Sequence, residues 1–313
     1  MLKYIGRRLL ATLPVMGVVA VVVFGLLHLS PGDPAAVIAG DQATTQEIEK
    51  VRVQLGLDRP LAVQFAAWVG DIARGDLGRS IYDGQPVARM IGQRLEPTIA
   101  LSLCTLLVAL AAALPMGIIA AWKAGTWIDR AIMGFAVLGF SFPVFVIGYG
   151  LIYLFSLQLE LLPVQGYASP GEGMGEFVAH MVMPSLALGW VLTALFARMT
   201  RTSMLEVLSQ DYIRTAQAKG LSTASVLVGH ALKNAAVPIV TTVGIGIALL
   251  IGGVVVTETV FAIPGVGLLT VDAILRRDYP VIQGVVLVFS AVYVLINLLV
   301  DLSYGFLDPR IRY

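Results

Sequence analysis

Three histidines, one cysteine and a thin scatter of carboxylates are the side chains best suited to chemistry here, and their spacing builds no reactive centre. His28, His180 and His230 fall in different segments, with no H-E-x-x-H or similar pairing to hold a metal. Cys104 stands alone, so it forms no internal disulfide or thiolate cluster and reads as a small apolar filler. Ser141 follows Gly139-Phe140, but Pro143 spoils G-x-S-x-G. Paired with His180 it would be an intramembrane hydrolase. A Ser at a helix kink, bonding a freed carbonyl, is the commoner arrangement. No G-x-x-x-x-G-K-[ST] loop exists, and no Gly is directly followed by Lys, so the chain has no phosphate loop of its own. Gly265-Val-Gly267, beside Pro264, is a fragment of G-x-G-x-x-G and reads as a turn. These residues predict no catalytic, cofactor or metal site.

The elements that carry them are apolar. Of 313 residues, 58% are hydrophobic and 13% charged, with mean hydropathy +0.85, against about half apolar and about a quarter charged in soluble domains. A chain of this size has too little interior to hide so much apolar surface. The net charge of +1 and the lack of a basic block argue against nucleic acid. Stretches free of Asp, Glu, Lys and Arg, each near the ~20 residues that cross a bilayer, run Leu9–Gly32, Pro97–Trp122, Ala131–Leu159, Phe177–Ala197, Asn234–Thr257 and Tyr279–Val300. Backbone groups in lipid must be paired internally, and the runs do not alternate as barrel strands do. The expected class is therefore all-α, a polytopic membrane protein with six transmembrane helices. Pro14, Pro115, Pro143 and Pro184 should kink them or end turns.

Uncharged spans argue against an ion-coupled carrier, which keeps a relay or ion ligand within the membrane. Glu258 and Asp301, just past the fifth and sixth spans, read as interfacially solvated rather than as gates. Asp272 and Arg276, at i, i+4, read as an ion pair. More than half of the 21 Lys and Arg gather at the amino terminus, between spans two and three, between spans four and five, and at the carboxyl end. By the positive-inside rule both termini are cytoplasmic and residues 33–96 are outside. A cleaved leader is not expected: the first apolar run is too long, and no A-x-A site follows it.

The expected divisions are 1–32 (tail and first span), 33–96 (external segment), 97–307 (five-span core with a cytoplasmic loop at 198–233) and 308–313 (tail). In the external segment, Thr45–Leu55 reads as a helix with Thr44 or Thr45 as N-cap and Gly56 past its end. Gln64–Ile72 is a second helix, with Phe65 and Trp68 suited to a membrane surface or a partner. The 198–233 loop is the most informative stretch. Asp211, Tyr212, Arg214, Thr215, Ala216, Ala218 and Lys219 belong to a short helix with its acid first and its base last. Gly220 takes the C-cap position, and Ser222 caps the helix that follows. Leu221 stands at the tip of the corner, a shape suited to a groove on another protein. In the fifth span, Gly244, Ala248 and Gly252 share a face that permits close helix packing.

At this loop the sequence resembles the integral membrane permeases of binding-protein-dependent ATP-driven importers, and more narrowly the B-type permease of the dipeptide, oligopeptide and nickel group. Across the chain, Ser30-Pro-Gly-Asp-Pro34, Leu55-Gly-Leu-Asp-Arg-Pro-Leu61, Gly75-Asp-Leu-Gly78, Leu162-Pro-Val-Gln-Gly-Tyr167, Arg201-Thr-Ser-Met204, Tyr212-Ile-Arg-Thr-Ala-Gln-Ala-Lys-Gly-Leu221, Arg277-Asp-Tyr-Pro-Val-Ile-Gln-Gly284 and Asp308-Pro-Arg310 are similar to the group's motifs in order and spacing. Of the wider family's loop pattern, Ala216, Gly220 and Leu232 match, while Arg214, His230 and Lys233 replace its acid, Ile and Pro. The resemblance implies a type I importer fold with an extra N-terminal helix, in the bacterial inner membrane. It implies that residues around 211–221 are the coupling helix. It also implies as partners a second, homologous permease, two cytoplasmic ATPase subunits that bind the ATP, and an extracytoplasmic binding protein. Dipeptides or short oligopeptides are the expected substrate, with nickel chelates, glutathione or cell-wall peptides as alternatives.

Overall fold

A computed structural model describes residues 2–29, 34–39, 43–54 and 56–307. Its helices are α1 (Leu2–Leu29), α2 (Pro34–Ala39), α3 (Thr45–Gln54), α4 (Leu61–Ala73), α5 (Val87–Trp122), α6 (Trp127–Ser141), α7 (Val144–Leu151), α8 (Met174–Leu208), α9 (Asp211–Ala218), α10 (Lys233–Val260), α11 (Val266–Arg276) and α12 (Tyr279–Leu307). A π-helical stretch, Ile152–Gln158, extends α7, and another, Ser225–Leu232, leads into α10. Among the described residues there is no strand, only an isolated bridge between Arg79 and Pro86. The all-α class follows from the uninterrupted apolar runs.

Val87–Trp122, Met174–Leu208, Ser225–Val260 and Tyr279–Val300 are long and apolar enough to cross a membrane. The first expected span lies in α1, where Thr12–Gly25 is the apolar stretch. The third differs from expectation. Instead of one rod over 131–159, Trp127–Ser141 and Val144–Gln158 meet at 102°. The cause is local: Phe142, before Pro143, is extended (φ −104°, ψ 127°), as steric conflict with the proline ring requires. Ser141 Oγ donates to the Val137 carbonyl at 3.0 Å, the arrangement expected of a serine at a kink. Pro14, Pro115 and Pro184 lie inside α1, α5 and α8 without ending them.

Two compact units are present: residues 1–94 with 269–294, and residues 95–268 with 295–313. In the first, Thr44 and Glu47 form a reciprocal capping box on α3: Thr44 N–H donates to Glu47 Oε2 at 2.7 Å, and Glu47 N–H to Thr44 Oγ1 at 3.4 Å. Thr44, not Thr45, is thus the cap. Gly56 follows the helix at φ +65°. Two of the sequence motifs interlock in this unit. Asp278, 4% exposed, accepts Ser80 Oγ at 2.5 Å and Ile81 N–H at 3.2 Å. Gly284 leaves room for Val87, whose Cγ1 would stand 2.6 Å from a Cβ there. The segments around 75–80 and 277–284 are therefore structural partners. Among the described residues Asp272 and Arg276 form no ion pair with one another. A surface i, i+4 pair is worth only about 0.2–0.5 kcal/mol, too little to hold the long, exposed Arg276 side chain in one place.

The second unit is built around α8 and α10. Leu188, Leu192 and Phe196 of α8 meet Leu250 and Val254 of α10, with Leu101, Ala109 and Ala113 of α5 in the same core. The helices approach closely because α10 carries glycine at the contacts. A Cβ on Gly246 would stand 2.5 Å from the Phe196 ring, and one on Gly253 2.5 Å from Leu188 Cδ1. At lipid-filled depth, where apolar burial drives little, such van der Waals contact is what binds helices. The fragments Ser30–Asp33 and Asp308–Arg310 lie outside the described residues, as does the 308–313 tail.

Candidate functional site

Helix α8 ends at Leu208, and after Ser209 and Gln210 the chain enters α9. Two α9 side chains, Ile213 and Ala216, point inward and join Met204, Val226, Leu227 and Ala231 in a second apolar cluster. This i, i+3 pair fixes which way α9 faces. The expected set of site residues omitted Ile213, although its apolar partner three residues on was a readable signal. With 213 and 216 turned in, Asp211, Tyr212, Arg214, Thr215, Ala218, Lys219, Gly220 and Leu221 are exposed, and Ala216 is not.

The corner itself is tightly made. Lys219 closes α9, its N–H reaching the Thr215 carbonyl at 3.1 Å, and Gly220 N–H reaches Gln217 at 2.9 Å. Gly220 has φ +79°, a conformation strained for any residue with a Cβ. Ser222 Oγ accepts Ser225 N–H at 3.3 Å, capping the next helix as expected. Leu221 therefore stands 38% exposed at the tip, and Tyr212 of α9 is 44% exposed. An apolar and an aromatic side chain are thus held outward on this corner. Its rim carries Arg214, Lys219 and Asp211, with Arg214 and Asp211 only loosely paired at 3.5 Å.

About two turns before the end of α8, Arg201 grips Asp129 of α6. Arg201 Nε donates to Oδ1 at 2.5 Å and Nη2 to Oδ2 at 2.7 Å. Asp129 is 4% exposed, and its Oδ2 also accepts Gly125 N–H at 2.9 Å. The stem that carries the corner is thus fastened to the 125–130 turn by a bidentate ion pair. The sequence pattern does not pair the two, because they are 72 positions apart.

Glu258 is a correction. Instead of being solvated at an interface it is fully buried. Thr98 donates to its Oε1 at 2.6 Å and the Leu268 N–H to Oε2 at 2.9 Å, while Thr98 Oγ1 accepts Val266 N–H at 2.8 Å. The carboxylate therefore caps the amino end of α11. The Gly265-Val-Gly267 turn acquires a reason: a Cβ on Gly265 would run into the Glu258 carboxylate, and one on Gly267 would stand 2.7 Å from Val255 Cα and 2.9 Å from Glu258 Oε2. Its glycines make room for an internal carboxylate rather than for a phosphate.

The small residues of α10 do not share one neighbour. Gly244 is buried against Val300, Ala248 is half-buried, and nothing lies within 4 Å of a Cβ on Gly252. His180 Nδ1 lies 2.9 Å from the Glu176 carbonyl, and Ser141 bonds Val137, so the two are not a reacting pair. Among the described residues no group of three His, Cys, Asp or Glu is placed to hold a metal.

Residues 113–313 match the family described as binding-protein-dependent transport system inner membrane component, and residues 1–102 match its N-terminal companion. The chain belongs to this family. Similarity to individual permeases runs the full length. A probable peptide ABC transporter permease protein of Sinorhizobium fredii is 54% identical over 310 residues, covering 99% of each chain. The glutathione transport system permease protein of Escherichia coli is 45% identical over 313 residues, covering 100% of each. Among solved structures, the methionine ABC transporter MetNI in an inward-facing conformation matches with TM-score 0.59 at 17% identity, over 70% of this chain and 96% of that one. That likeness carries the fold: a type I importer permease, to which this permease adds further residues.

Proposed function

We propose that this permease forms half of the translocation pore of an ATP-driven importer for dipeptides or short oligopeptides. The observation that carries the substrate class is 54% identity, end to end, with a relative named a probable peptide permease. Its partners are a second, homologous permease, two cytoplasmic ATPase subunits and an extracytoplasmic binding protein that delivers the peptide. Both termini and the 198–233 loop face the cytoplasm, in keeping with the distribution of Lys and Arg. The chain works without a cofactor and without an ATPase site of its own, so the free energy enters through the partner subunits.

Mechanistically, Tyr212 and Leu221 seat in a groove of the ATPase. Closure of the ATPase dimer pushes α9, and Ile213 and Ala216 pass the push to Met204 and Leu227. Arg201 carries it across to Asp129 and α6. The cavity then switches between outward and inward access, as a bistable packed bundle does.

Glutathione is the second reading, favoured by 45% identity over the whole chain with a glutathione permease; it is itself a short peptide. Uptake of labelled di- and tripeptides into vesicles holding the complete transporter, with glutathione as competitor, separates the two. Saturable peptide uptake untouched by excess glutathione supports the first, and uptake of glutathione alone overturns it.

A further inference from the structure

Helix α4, in the segment 33–96, has no buried residue, yet its sequence, Leu-Ala-Val-Gln-Phe-Ala-Ala-Trp-Val-Gly-Asp-Ile-Ala, is almost wholly apolar. Phe65 and Trp68 do not face outward. They clasp Phe24 of α1, with ring centroids 5.3 and 5.6 Å away. The opposite side of α4 then presents Ala62, Val63, Ala66, Ala67 and Ala73 to the surroundings, all exposed. Polar groups are disposed of: Gln64 Nε2 donates to the Leu57 and Arg59 carbonyls at 3.2 and 2.8 Å. Asp71 pairs with Arg74 at 3.2 Å, at the carboxyl end of the helix.

The depth of the clasp identifies what covers that side. Phe24 lies five residues inside α1 from Leu29, on the order of 7 Å at the helical rise of ~1.5 Å per residue. A second helix gives the same level. Gln283, four residues into α12, donates through Nε2 to the carbonyl of Val23 at 3.2 Å. Neighbouring α1 residues Val18, Val21 and Val22 are 57–64% exposed, which on a membrane span is lipid-facing surface. Helix α4 is held against this span by Phe65 and Trp68, with its own apolar side left exposed. Its 13 residues are too few to cross a core that needs ~20.

We propose that α4 is embedded in the bilayer leaflet next to the carboxyl end of α1, with the Ala62–Ala66–Ala73 side against acyl chains and Asp58, Arg59 and Arg74 at the headgroups. The segment 33–96 is then anchored in the membrane at its middle rather than standing free of it. Helices that lie in the membrane interface bury their apolar face about 5–10 Å into the headgroup and acyl boundary, consistent with the level of Phe24. The inference rests on α1 being a span and not on the substrate.

The test is a spin-label series in the complete transporter in lipid vesicles, on a Cys104→Ala background. Nitroxides are attached at Ala62→Cys, Ala66→Cys and Ala67→Cys, with Val18→Cys as the lipid reference and Lys50→Cys, on exposed α3, as the aqueous one. Collision with oxygen is compared with collision with a water-soluble nickel chelate. The expected result is that all three α4 labels favour oxygen, as Val18→Cys does, by several-fold over the Lys50→Cys ratio. Preference for the nickel chelate overturns the proposal in favour of solvent. Protection from both reagents overturns it in favour of a protein partner. Should the Val18→Cys label itself favour nickel, the assignment of α1 as a span fails instead.

Discussion

Arg201 and Asp129 meet through two parallel hydrogen bonds at 2.5 and 2.7 Å, joining the stem of the 198–233 loop to the start of α6. The pair is fixed at the carboxylate and looser at the guanidinium, where the side chain is 26% exposed against 5%. Removing one partner of a buried pair costs about 3–5 kcal/mol, because the other charge is left uncompensated, whereas replacing both with apolar groups of similar size is often neutral. Arg201→Ala, which strands the buried Asp129 carboxylate, should therefore lower the melting temperature of the purified permease more than Asp129→Ala, which leaves a guanidinium that reaches solvent. Asp129→Leu combined with Arg201→Met should recover most of the loss while leaving transport impaired. Full transport by the double variant would remove the pair from the coupling path.

Gly265→Ala and Gly267→Ala should each be destabilising by about 1–3 kcal/mol, the usual cost of overpacking, since a methyl at 265 meets the Glu258 carboxylate and one at 267 meets the Val255 backbone and then Glu258 Oε2. Combining Gly265→Ala with Glu258→Ala should add little to the cost of Glu258→Ala alone. Strict additivity in thermal melts would show that Gly265 answers to something else.

Three glycines of α10 separate packing from open surface. Gly246→Ala and Gly253→Ala should cost about 1–3 kcal/mol by driving a methyl into Phe196 or Leu188. Gly252→Ala, with nothing within 4 Å, should stay within about 0.5 kcal/mol of the parent. Expression and melting of the three variants in detergent report the order.

Acid should loosen the amino end of α3. Its capping box holds the Glu47 carboxyl below the ordinary value, through the backbone and then the side chain of Thr44. A depressed carboxylate pKa stabilises above the unfolded-state value and is lost as pH falls through the folded one. Amide exchange at Glu47 and Ile48 should accelerate as pH drops below about 4.5, after correction for intrinsic rates, and Glu47→Gln should abolish the extra acceleration.

How much of this was legible depends on range. The all-α class and the apolar helices follow from runs that are continuous in sequence. The corner follows from Asp211, Gly220 and Ser222, whose preferences for helix start, left-handed cap and N-cap are local. Pro143 was readable as a break but not as a 102° bend, since the angle is set by what α6 and α7 each pack against. Pairings across the fold were not readable: Asp129 with Arg201, Thr98 with Glu258, Ser80 with Asp278. Glu258 misled because a carboxylate beside an apolar run is ordinarily solvated, and its actual partners lie 160 positions upstream and on a helix end that did not exist in the sequence pattern. Ile213 carries no charge and caps nothing, so the local preferences that mark the corner do not mark its apolar anchor.

The central claim is that the corner at Leu221 transmits ATPase motion to the pore. Its most direct test is Leu221→Asp in the complete transporter, scored for retention of the ATPase during purification and for ATP-driven peptide uptake into vesicles. Placing an unpaired charge in an apolar groove should weaken ATPase binding on the order of 100-fold, about 3 kcal/mol, and abolish uptake while the permease stays folded and membrane-inserted. Wild-type uptake with a fully retained ATPase would contradict the account.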